Sequence, residues 1–160
     1  GFVVAVTDIL KAALAWKLAA RILPGVRIAP ILGGVACIIG HMYPVFLHFR
    51  GGKGLACLGG VVLAYSPKGF VFMLSIALLI AVITNYVCMV TAGMSLIFPA
   101  YYGIVTGFWL GAVLLAIPAV PIFIKHGENF RRIKPGQALR LSCLWNKSAE
   151  LERAGYEDNE

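Results

Sequence analysis

The sequence predicts an all-α fold: a polytopic membrane helix bundle of about six hydrophobic segments, one of them short or re-entrant. Three observations lead there. The 160-residue chain is 60% hydrophobic and 13% charged, with a mean hydropathy of +0.86, whereas soluble domains carry about one-quarter charged residues. A water-soluble fold of this length has too much surface to hide so much apolar side chain. The apolar residues also fall into runs of bilayer-spanning length, separated by breaks rich in proline, glycine and basic residues.

The first run, Phe2 to Leu23, carries Asp8, Lys11, Lys17 and Arg21. Asp8 and Lys11 are three apart and share one helix face. Charges inside a spanning helix cost about 2.5–3.5 kcal/mol each on insertion scales. The pair either neutralises itself against neighbouring helices or supports a polar site behind it. Lys17 and Arg21 lie near the far end, where long stems reach back to water. Pro24-Gly25 with Arg27 and Pro30 makes a turn, and Ile31 to Phe49 is the second run, ending in His41, Pro44 and His48.

A glycine-rich basic turn follows, and then Leu55 to Tyr65, stopped by Ser66-Pro67. This third run is either a short span or a re-entrant helix. Phe70 to Val90 is the fourth, with Asn85-Tyr86 near its end. Ala92 to Gly107 is the fifth, interrupted by Pro99. Leu110 to Ile124 is the sixth, running straight into Lys125-His126.

Charge orients this bundle. Of 14 Lys and Arg residues all but Arg153 precede Glu150, against only Asp8 and Glu128 among the acidic residues there. The basic excess therefore serves topology, anionic lipid or an anionic substrate. With six crossings, the Gly51 turn and the chain after Lys125 share a side. That side holds Arg50, Lys53, Lys125, Arg131, Arg132, Lys134 and Arg140, against Arg21, Arg27 and Lys68 on the other. The positive-inside rule makes the first side cytoplasmic. Cys37, Cys57, Cys88 and Cys143 show no CxxC spacing and are expected as buried small hydrophobes; no metal ligands and no cofactor are expected.

Two stretches carry candidate chemistry. Phe49-Arg50-Gly51-Gly52-Lys53-Gly54 combines the glycines that let backbone N–H groups converge on an anion with a lysine point charge. It is not a Walker A motif, because glycine rather than serine or threonine follows the lysine. Read without a ligand, it is a basic loop that sets topology. Lys125 to Gln137 (KHGENFRRIKPGQ) offers His126, Glu128, Asn129, Arg131 and Arg132 within a few residues. On a helix His126 and Asn129 share a face with either Glu128 or Arg132, which brings donors and a candidate base together. The plainer reading is a basic membrane anchor.

The stretch GHMYPVFLHFRGGKG resembles the second conserved motif of the PlsY family, membrane glycerol-3-phosphate acyltransferases that use acyl phosphate. KHGENFRRIKPGQ is similar to that family's C-terminal motif, RHxENIxRLxxGTE, and the segment beginning DILK is similar to the helix after its first motif. The resemblance covers roughly residues 6–137, which form a membrane acyltransferase-like domain (1–137). It implies acyl transfer from acyl phosphate to glycerol 3-phosphate, giving lysophosphatidic acid, in a bacterial plasma membrane. The partners it implies are these two small molecules and membrane lipid, with no nucleic acid; the oligomeric state stays open.

By this resemblance Lys53, His126 and Asn129 are the catalytic candidates. Arg50, Gly51, Gly52, Gly54, Glu128, Arg132 and His41 are the substrate-binding ones, with His41 alternatively a structural cap on the helix before the turn. The family's first motif, a GSGNxGATN-like loop after an initial helix, has no counterpart after Gly1, so an N-terminally truncated site is expected. Cys57 replaces a threonine of the family pattern, Lys125 an arginine and Gln137 a glutamate. Residues 138–160 lie outside the resemblance and form a cytoplasmic tail, either an amphipathic helix with an acidic end or a disordered segment. The competing class is a non-catalytic membrane protein, such as a transporter or scaffold with inherited anion-binding loops.

Overall fold

In a computed structural model the described residues, 2–49 and 51–133, are entirely helical apart from connections. Seven helices follow one another: α1 (Phe2–Ile22), α2 (Ala29–Met42), α3 (Leu55–Tyr65), α4 (Pro67–Thr84), α5 (Val87–Thr106), α6 (Trp109–Ala116) and α7 (Ala119–Ile133), with a 3₁₀ turn at Val45–Leu47. Among the described residues four stretches are long and apolar enough to cross a membrane: Ala29–Leu47, Pro67–Thr84, Val87–Thr106 and Trp109–Gly127. Arg50 and the 138–160 tail lie outside the described residues, as do the side chains of Glu128 and Arg132.

The six predicted runs are present, with boundaries moved: the second helix ends at Met42 rather than Phe49, and the fourth starts at Pro67 rather than Phe70. The fourth ends at Thr84 and the fifth begins at Val87 rather than Ala92. Asn85 takes a left-handed conformation (φ 59°) and its N–H caps the Ala81 carbonyl, a conformation asparagine tolerates better than most residues. Pro99 does not interrupt α5: the helix continues through it for 20 residues, because neighbouring helices bury the site and supply the packing that the lost hydrogen bond does not. The sixth run, expected to be continuous, breaks at Ile117-Pro118 into α6 and α7, since Pro118 has no N–H for the preceding turn.

The core forms where α1, α2 and α3 pack tightly. Gly60 of α3 lies against the Ile9 carbonyl and Ala12 of α1, leaving no space for a Cβ. Small residues of this kind let membrane helices approach where lipid provides no hydrophobic drive. Around this centre lie Trp16, Ile31, Ile38, Met42, Val61, Phe98 and Leu115, all buried. The outer faces of α4 and α6 stay apolar and exposed, with Val82 at 77% and Val113 at 64%, as lipid-facing surfaces are.

Connections alternate between the two ends of the bundle. At one end Arg27 stacks 4.5 Å from the Phe108 ring centroid, and Tyr65 at the end of α3 packs on Trp16 and Tyr102. At the other end the turn after α2 meets α7. α3 thus runs from one end toward the other, although 11 residues span only about 16 Å.

Candidate functional site

The site begins where α2 stops. Tyr43 leaves helical geometry and Pro44 cannot continue the ladder. After the 3₁₀ turn, His48 (φ 50°) and Phe49 (φ 62°) are both left-handed, an outlying conformation for a bulky side chain. This reversal folds the glycines back onto the end of α2. The Gly51 N–H donates to the Met42 carbonyl at 3.2 Å. A Cβ at Gly51 would overlap the His41 and Met42 carbonyls, and one at Gly52 would overlap the His41 ring. Close approach, rather than backbone freedom, demands glycine at these two positions. Gly54 differs: its φ is +89°, and it opens α3 with no side-chain cap. The first N–H groups of α3 therefore point out of the helix end beside Lys53 without an intrahelical acceptor. An uncapped helix N-terminus beside a lysine receives anions readily.

α7 closes the site from the other side. The Lys125 ammonium donates to the Met42 carbonyl and to the Gly51 carbonyl (3.1 Å), and lies 4.7 Å from the Tyr43 ring centroid. It binds the two motif stretches together at one end of the bundle. The next residue, His126, is 2% exposed. Its Nδ1 lies 3.5 Å from the Asn129 amide nitrogen, as their spacing on one helix face requires. Its Nε2 is buried and has no hydrogen-bond partner among the described residues. With Nδ1 as acceptor, the neutral ring carries its proton on Nε2. A buried polar atom left unpaired calls for an explanation, and a ligand is the natural one. Exposed Lys53 lies within electrostatic reach of this ring.

The His41 ring reaches α1 with one edge and lies against Gly52 of the turn with the other. Its Nδ1 lies 3.0 Å from the Lys11 ammonium and 3.5 Å from the Asp8 carboxylate, and Lys11 pairs with Asp8 at 2.5 Å. The Asp8–Lys11 pair on α1 is therefore not isolated: it extends to the histidine that carries Gly52. Sequence reasoning missed this contact, because residues on separate helices give no spacing signal. It also missed Lys125, whose place at a membrane boundary reads as an anchor. Gly51 was grouped with the anion cradle, but its N–H and carbonyl are both engaged within the turn and by Lys125. The backbone of Glu128 and Arg132 lies on α7, and Arg50 falls outside the described residues.

An apolar cavity of about 440 Å³ opens beside this end, between α1, α3, α4 and α5. Its lining includes Ile9, Leu55, Val62, Phe70, Met73 and Met94. Leu55 belongs to the first turn of α3, so the cavity reaches the helix end that Lys53 flanks.

Fold and site define a class of protein: a helical integral membrane protein with an anion-receptive polar centre at one end and an apolar recess next to it. The chain matches the family described as glycerol-3-phosphate acyltransferase over residues 1–136, and it belongs to that family. It is 37% identical over 133 residues to a glycerol-3-phosphate acyltransferase of Geobacillus kaustophilus, covering 83% of this chain and 66% of the relative. A relative from Enterococcus faecalis is 36% identical over 153 residues, covering 89% and 69%. The chain thus spans about two-thirds of the length of these relatives. It superposes with a TM-score of 0.79 on the crystal structure of PlsY, an integral membrane glycerol 3-phosphate acyltransferase, in its glycerol 3-phosphate form. That match has 28% identity and covers 92% of this chain and 74% of that one.

Proposed function

We propose that this chain provides the site for acyl transfer from acyl phosphate to the 1-hydroxyl of glycerol 3-phosphate, forming lysophosphatidic acid and inorganic phosphate. The observation that carries this reading is the Lys125 bridge, which joins the glycine turn to the helix bearing His126 and Asn129. Family membership supports glycerol 3-phosphate as the acceptor, the motif resemblance implies acyl phosphate as the donor, and the apolar recess suits a fatty chain.

The chemistry asks for few groups. Acyl phosphate is a mixed anhydride and already activated. The glycerol 3-phosphate hydroxyl oxygen attacks the acyl carbon, the carbon–oxygen bond to phosphate breaks, and the departing phosphate takes the hydroxyl proton. No covalent nucleophile on the protein is needed. Catalysis then rests on positioning and on neutralising phosphate charge. Lys53 and the open N–H groups around Gly52 and Gly54 hold a phosphate. His126 presents Nε2–H to a second anionic or hydroxyl oxygen, and Asn129 fixes the ring. Gly51 and Lys125 keep the turn in shape. Arg50, Glu128 and Arg132 are assigned to substrate binding on the motif pattern. In this reading the reaction centre faces the cytoplasm, which the excess of basic residues at that end supports.

The test is phosphate release from acyl phosphate in the presence of glycerol 3-phosphate, using purified protein in liposomes. Lys53→Ala is expected to lower kcat by about 100-fold or more, the usual cost of losing a positioned charge-stabilising group. Unchanged turnover in that variant would remove the turn from the reaction.

A further inference from the structure

Asp8, His41 and Cys57 come from α1, α2 and α3, and each turns one metal-ligating atom inward, all within 4.8 Å of one another. We infer that these three side chains form a binding site for a thiophilic divalent cation of the Zn²⁺ class. Acyl transfer does not use this cluster's thiol, and the inference is independent of the substrate reading above.

The spacing already suits a small metal. Zinc bonds of about 2.0–2.1 Å to nitrogen and oxygen and 2.3 Å to sulfur put tetrahedral ligands roughly 3.4–3.8 Å apart. His41 Nδ1 and Asp8 Oδ1 stand 3.5 Å apart. The Lys11 ammonium bridges them, 2.5 Å from Asp8 and 3.0 Å from His41, and so marks the vertex that a metal shared by the two would take. Cys57 must move by only about an ångström to complete the set. Cys37 of α2 lies within hydrogen-bonding reach of Cys57.

Charge favours exchange. A carboxylate, a thiolate and a neutral imidazole around a divalent cation sum to zero, which a site at the edge of the bilayer tolerates well. The Cys57 thiol gives its proton to solvent as its sulfur takes the metal. Lys11 is displaced rather than trapped, because 40% of its side chain is exposed while Asp8 is only 11% exposed. Cysteine supplies the soft ligand that selects zinc over magnesium. The family motif carries threonine at this position, so the site belongs to this chain's own departure from the pattern. His41 lies against Gly52, and an occupied site would hold the turn through that histidine.

The experiment is a titration of the purified full chain in detergent with Co²⁺, a spectroscopic stand-in for zinc. We expect one Co²⁺ per chain, a thiolate-to-cobalt charge-transfer band in the near ultraviolet, release of a proton, and displacement by Zn²⁺. Cys57→Thr and Asp8→Asn should each weaken binding by at least about 100-fold, more than the loss of an outer hydrogen-bond partner costs. Cys88→Ala should leave the band unchanged. Lys11→Met should tighten binding by roughly tenfold, since the competing ammonium is gone. Size-exclusion elution matching the parent protein shows that each variant is folded. No band in the parent protein, a band that persists in Cys57→Thr, or an affinity in Lys11→Met no greater than the parent's overturns the site.

Discussion

Lys125 shows how one side chain can hold a site without touching a reacting atom. Its three N–H donors meet two carbonyls from α2 and the turn, and its charge rests on Tyr43. Lys125→Met keeps the stem but leaves those carbonyls unpaired. We expect kcat for acyl transfer to fall by about 10- to 100-fold, because misplacement of a positioning element by an ångström costs that much. Lys125→Arg, with donors at similar reach, should retain most activity. Gly52→Ala should behave like a lesion in His41, since the new Cβ meets that ring. The expected result is a raised KM for glycerol 3-phosphate in the same assay. The glycines, Lys53 and the His126–Asn129 spacing were legible in sequence because they lie within single motifs. The Lys125 bridge and the link from Asp8 through Lys11 to His41 were not, since both join residues far apart in the chain.

The helices were legible to the extent that hydropathy decides them. The six apolar runs stand in the structure because spanning length and apolar content are properties of a local window. Boundaries depended on single residues with two readings. Asn85 reads as a polar residue inside a run, yet it adopts a left-handed cap that ends α4. Pro99 reads as a breaker, yet packing carries α5 through it. The close contact of α3 on α1 makes a direct test of element packing. Gly60→Val would force a branched side chain against the Ile9 carbonyl and Ala12. Overpacking costs about 1–3 kcal/mol, so the thermal midpoint in detergent should drop by several degrees, whereas Gly25→Ala, a left-handed turn glycine with open space around it, should cost less.

At the level of the whole molecule, the bundle places Arg27 and Lys68 at one end and Lys53 and Lys125 at the other. By the positive-inside rule we propose that the second end faces the cytoplasm. In a cysteine-free background, a cysteine replacing Lys68 should react with an impermeant maleimide added to intact cells. One replacing Arg131 should react only after permeabilisation. The reverse labelling would invert the proposed orientation. The polar cluster on α1 has a consequence for biosynthesis. α1 carries Asp8, Lys11, Lys17 and Arg21, more charge than the four stretches apolar enough to cross a membrane by composition. Its buried carboxylate is matched by Lys11 at once, but its histidine partner arrives only with α2, and the surface that packs on Ala12 only with α3. α1 therefore relies on helices synthesised after it, α2 for the partner of its carboxylate and α3 for its packing surface, to settle its polar face.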